Sequence, residues 1–168
     1  MTGSEALLWT KPSWRQREFV LTREGEELAR LTFEGWATSA ARIRTAKGEW
    51  SVRRDGFWRS RVIMQGGGTL LTARGGWSGN YDLESAFEDA VRWGSFSVWR
   101  QQYGWRRADG TALVIYRPVT AFSQRVQAVD VLMPGDLTSS RVLLIALGGY
   151  FLQRIHEDMA ASAAAVSA

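Results

Sequence analysis

Apolar and polar positions alternate with a period of two along most of this chain, from about Leu7 to Leu132, in short runs separated by turn residues. Arg17–Thr22 sets Phe19 and Leu21 on one face, and Arg23-Glu24-Gly25-Glu26 turns the chain into Glu27–Phe33. Ser39–Ala46 places Ala41, Ile43 and Thr45 opposite Arg42 and Arg44. Lys47-Gly48 then leads into Glu49–Arg54, and Asp55-Gly56 into Phe57–Gln65. Such pairs signal hairpins, because glycine accepts positive φ between right-twisting strands. Gly66-Gly67-Gly68, Gly75-Gly76 and Ser78-Gly79-Asn80 punctuate two shorter runs, and Ser85–Val91 carries one turn of helical spacing. Strands resume at Trp93–Gln102, Gly104–Ala108 and Thr111–Arg117, and Arg125–Met133 precedes Pro134-Gly135. The pattern predicts about eleven or twelve short strands, spaced as in sandwiches and barrels.

The period changes after Pro134. A breaker followed by Asp136, Thr138 and Ser139 supplies helix N-cap candidates, so a helix begins near Ser139 or Ser140 and runs to about Glu157. Its centre, Val142–Leu152, is uncharged and has no polar face, lying between Arg141 and Arg154. A helix that is apolar all round belongs in a core or a membrane, and this run falls short of the roughly 20 residues a span requires. Gly148-Gly149 in mid-helix costs up to about 1 kcal/mol per glycine, which close approach of neighbouring strands offsets. The expected fold is all-β with one central helix, a closed antiparallel barrel of about 12 strands around a buried C-terminal helix (about 139–157). Residues 1–6 read as a flexible N-terminus, 7–157 as one domain, and the Ala/Ser-rich 158–168 as a disordered tail.

The Trp-rich strands, the passage Glu49-Trp50-Ser51-Val52-Arg53-Arg54-Asp55-Gly56-Phe57 and the closing run Leu143–Leu152 together resemble the tubby C-terminal-like superfamily. That group includes tubby proteins, LURP-one-related proteins and phospholipid scramblases. The resemblance spans roughly Leu7 to His156 and implies a twelve-stranded barrel around a hydrophobic helix. The chain departs from the scramblases in lacking their cysteine cluster and an acidic calcium segment. From tubby proteins it departs in lacking a lysine-rich phosphoinositide pocket.

Composition narrows the chemistry. The 168 residues include no cysteine and a single histidine, His156, which excludes disulfides, thiol nucleophiles, thiolate zinc sites and multi-histidine metal sites. No cofactor is implied. The first residues, Met1-Thr2-Gly3-Ser4-Glu5, show no secretory pattern, so the expected setting is cytoplasmic, or peripheral to a membrane. The net charge of +4 comes almost wholly from arginine, as Lys11 and Lys47 are the only lysines. Arginine excess fits either phosphate recognition or a coding bias.

On the strand reading, Arg42, Arg44, Arg53, Arg59 and Arg61 all point outward from consecutive hairpin strands and would lie side by side. Glu18, Glu34 and Glu49 are the carboxylates available to neutralise them. Left unneutralised, such a stripe suits anionic lipid headgroups or an acidic protein partner, each charge near a membrane being worth about 1 kcal/mol. Nucleic-acid binding is disfavoured, since the aromatics between these arginines, Trp50 and Trp58, alternate inward and offer no stacking platform. A lipocalin-like carrier would need a lumen that the helix fills. Enzyme readings are weaker: His156 has no partner at motif spacing, and Gly66-Gly67-Gly68 lacks the ending of a phosphate loop. Glu84, Glu88 and Asp89 suit a solvated face better than an acid–base pair. A non-enzymatic docking domain is therefore the leading expectation, with an enzyme site in the glycine-rich loops or a nucleic-acid module as alternatives. Oligomeric state is not legible.

Overall fold

The computed structural model describes residues 6–36, 38–55, 61–75, 79–84, 90–120 and 125–167, excluding the Glu84 side chain. Twelve strands precede one helix: β1 (Leu7–Thr10), β2 (Glu18–Arg23), β3 (Glu26–Phe33), β4 (Ala41–Thr45), β5 (Gly48–Asp55) and β6 (Arg61–Gly66). They continue as β7 (Thr69–Gly75), β8 (Tyr81–Glu84), β9 (Val91–Ser97), β10 (Gln102–Arg107), β11 (Ala112–Pro118) and β12 (Val126–Val131), followed by α1 (Ser139–Val166). Each strand pairs antiparallel with its neighbours in sequence, and β1 closes the barrel against β12. Closure removes every sheet edge.

Alternation along each strand fills the interior. Phe19 and Leu21, Leu31 and Phe33, Ala41 and Ile43, and Val62 and Met64 all point inward and are buried. Through this interior passes α1, whose residues Val142–Leu152 are all buried. The helix is held there by polar contacts as well as packing. Trp105 Nε1 donates to the Leu144 carbonyl at 3.0 Å, and the Tyr116 hydroxyl donates to the Ile145 carbonyl. These two bonds lie one turn before Gly148 and Gly149, where the barrel wall comes closest. A Cβ on Gly148 would sit 2.6 Å from the Tyr116 hydroxyl and 2.7 Å from Trp105 Nε1, and one on Gly149 would strike the Trp9 ring. Only glycine fits there, so the expected return for two helix-weakening residues is realised.

Both ends of the buried segment of α1 are tied to loops. Thr138 is the N-cap, and Arg141 donates to the carbonyls of Pro134 (2.6 Å), Gly135 (3.0 Å) and Asp136 (2.9 Å). At the other end Tyr150 donates to the Ser39 carbonyl at 2.7 Å, so the helix leaves beside the β3–β4 loop.

Two readings change. The run Trp93–Gln102 is not one strand: β9 ends at Ser97, and a turn with Gln101 at φ 50° starts β10. Val98 and Trp99 favour strands by composition, which conceals the turn. Nor does the helix stop near Glu157, because Met159–Val166 continues it as an exposed extension in place of a disordered tail. Its alanines are the best helix formers, and the core segment has already met the cost of nucleation. Most of the Ser85–Val91 helical turn lies outside the described residues.

Candidate functional site

Strands β4, β5 and β6 carry the anticipated arginines. Arg42 and Arg44 alternate with buried Ala41 and Ile43, Arg53 follows buried Val52, and Arg61 precedes buried Val62. All four are exposed on the outer face. Arg59 and Trp58 lie outside the described residues, as do Glu88 and Asp89.

The four share a face without lining up. The tight Ala46-Lys47 turn fixes Thr45 opposite Gly48, so Arg42 faces Ser51 and Arg44 faces Glu49. Arg53 faces Ile63, and Arg61 faces Asp55. Glu34 and Glu49 both reach Arg42, at 2.8 Å from Nε and 3.3 Å from Nη1, and Asp55 reaches Arg61 at 2.7 Å. The Glu34 carboxylate, chiefly, raises the pKa of Arg42 above its ordinary value. Glu18 pairs with none of these four but with Arg30 on β3, which stands opposite Arg44. Arg44 and Arg53 have no ion-pair partner among the described residues.

One end of the barrel holds a second group that the alternation pattern does not reveal. The connections β1–β2 and β9–β10, and the described parts of β3–β4 and β11–β12, lie at the end where α1 leaves. Trp14, Trp36 and Trp99 project from three of them, 66%, 73% and 98% exposed, joined by Val98 and Val119. Arg15 lies over the Trp14 ring at 5.0 Å. Two open clefts sit between these loops. One, about 290 Å³, is lined by Arg15, Arg17, Phe33 and Trp36; the other, about 330 Å³, by Trp99, Arg100, Arg117 and Pro118. Neighbouring turn formers do not by themselves mark these residues: Trp14 and Trp36 follow them in Pro12-Ser13-Trp14 and Gly35-Trp36, but so does buried Trp105 in Gly104-Trp105.

The remaining candidates are structural. The glycines at 66 and 67 wrap the Trp50 ring, and a Cβ on Gly67 would stand 3.4 Å from it, so this turn serves packing. His156 is buried near the end of the core segment, and burial lowers its pKa. Among the described residues no group of three or more His, Asp or Glu could hold a metal. No described helix is long and apolar enough to cross a membrane. Comparison of the chain with models of known protein families, with curated proteins and with solved structures returned no match.

Proposed function

We propose that this chain is a non-enzymatic docking domain of the tubby/LURP-one-like kind that binds anionic lipid headgroups through the outer face of β4–β6. The observation that carries the reading is the pair Arg44 and Arg53: exposed, on adjacent strands, and with no carboxylate at ion-pair distance among the described residues. Each exposed arginine that no carboxylate holds at contact distance is free to meet an anionic headgroup, at about 1 kcal/mol per charge. Arg42 and Arg61 contribute less, because Glu34, Glu49 and Asp55 already balance them. The helix that fills the barrel argues against a carried ligand. On this reading the protein works at the cytoplasmic leaflet, where anionic lipids concentrate.

The test is co-sedimentation with vesicles of phosphatidylcholine containing phosphatidylserine, at 50 mM and 500 mM salt. Binding that depends on lipid charge, weakens at high salt and drops on Arg44→Glu with Arg53→Glu is expected. Binding unaffected by that double reversal, or retention by an acidic polypeptide but not by vesicles, would overturn the reading.

A further inference from the structure

We propose that the loop end of the barrel is an interfacial insertion surface, with Trp14, Trp36 and Trp99 entering the headgroup region of an anionic bilayer end-on. The choice of partner rests on the docking reading above; the residues are different.

The two ends of the barrel differ in kind. At the end where α1 enters, the described hairpins close through short turns such as Glu24-Gly25, Ala46-Lys47, Gly67-Gly68 and Asp109-Gly110, which present no aromatic side chain. At the other end five exposed apolar residues stand on the connections: Trp14, Trp36, Val98, Trp99 and Val119. Leu70 and Leu132 are exposed singly near the entry end, but among the described residues every exposed tryptophan stands at the exit end, and such a cluster marks an interaction surface. Tryptophan is the residue that sits at membrane–water interfaces, with its ring in the apolar boundary and its N–H in the wet layer.

Charge at this end points the same way. Arg15, Arg100 and Arg125 are exposed on the same loops, and none has an ion-pair partner among the described residues. The one acidic residue on the described loops, Glu34, is bound by Arg42.

The helix supplies an independent observation. It leaves the barrel at this end beside the β3–β4 loop, and beyond Asp158 the segment Met159–Val166 contains no charge, with Met159 and Val166 exposed. Eight helical residues reach about 12 Å, enough to enter a headgroup layer but not to cross a bilayer. Valine and methionine at the same end as the tryptophans, and an uncharged helical extension there, favour lipid over single-stranded nucleic acid, which binds a cationic groove with stacked rings. The cationic face of β4–β6 meets this end at the Glu34–Arg42 contact, so a barrel tilted toward that flank presents both to one plane.

Vesicles bearing bromine on the upper acyl chain test the proposal, because bromine quenches tryptophan only at contact depth. Quenching on binding is expected, and it should be largely lost in Trp14→Ser/Trp36→Ser/Trp99→Ser. That variant should also bind at least about tenfold more weakly while keeping its circular dichroism and melting temperature. Binding without quenching, or a triple variant that binds like the parent, would overturn the insertion surface and leave headgroup docking intact. Quenching and binding that survive Arg44→Glu/Arg53→Glu would remove the β4–β6 face and leave the insertion surface. Binding to single-stranded oligonucleotide but not to vesicles would overturn both.

Discussion

Arg17 Nη2 lies 2.6 Å from Glu157 Oε1, joining the start of β2 to the helix where it leaves the barrel. The same guanidinium donates to the carbonyls of Gly35 (2.7 Å), Trp36 (3.2 Å) and Thr38 (3.1 Å) and lies 4.3 Å over the Phe33 ring. One buried side chain thus latches the helix exit and shapes the β3–β4 loop that carries Trp36.

Unequal losses follow from that geometry. Arg17→Ala removes the ion pair and three carbonyl bonds, and should cost about 2–4 kcal/mol. Glu157→Ala should cost less, about 1–2 kcal/mol, because Arg17 keeps its carbonyls and its place over Phe33. Chemical denaturation of the two variants checks the ranking; equal losses would mean that the carbonyl bonds contribute nothing.

Alanine normally strengthens a helix relative to glycine, and here the sign should reverse. At Gly148 or Gly149 the new methyl meets Tyr116 and Trp105, or Trp9. Each Gly→Ala exchange should lower stability by about 2–3 kcal/mol, roughly 5–10 °C in Tm, by forcing indole rings off their packing. Thermal melts of the two single variants suffice.

His156 gives the fold a pH dependence. Burial holds its pKa below the ordinary 6.5, so under mildly acidic conditions the unfolded chain binds a proton that the folded chain refuses. Its contribution is complete above about pH 6.5 and is lost as pH falls through the lowered folded value. The sole histidine owns that window. Denaturation curves at pH 7.5 and 5.5 should diverge for the parent chain and draw together in His156→Leu.

Truncation separates the two parts of α1. A chain ending after Asp158 should melt cooperatively like the parent, since Met159–Val166 is exposed. A chain ending after Ser140 loses every buried residue of the helix and should be unfolded by circular dichroism.

Freeing Arg42 offers a gain-of-binding variant. Glu34→Gln with Glu49→Gln removes both of its partners. Affinity for phosphatidylserine vesicles at low salt should rise about fivefold, or roughly 1 kcal/mol per charge released. Unchanged affinity would place Arg42 outside the contact.

The barrel was legible because its strands repeat one rule, apolar in and polar out, that local sequence states directly. The helix was legible because nine large apolar residues without a polar face admit few locations. Cross-strand register was not, since it depends on how each turn closes: Arg42 and Arg53 share a face, but the turn geometry sets Ser51 and Ile63 opposite them. The loop tryptophans were hidden for a different reason. A tryptophan in sequence looks the same whether it fills a core, as Trp93 does, or stands in solvent, as Trp99 does; only the position of the turn at 98–101 separates them.

The order of elements sets a schedule for biosynthesis. A ribosome releases all twelve strands before the segment they enclose, so the nascent meander has no interior to collapse onto until Leu152 emerges. Domains ordinarily fold as units as they emerge; this one has to wait, with its inward apolar faces uncovered. Pairing β1 with β12 then joins residues more than a hundred positions apart, a late and slow step by loop-closure entropy. The helix that makes the mature barrel rigid also makes its precursor dependent on protection from aggregation.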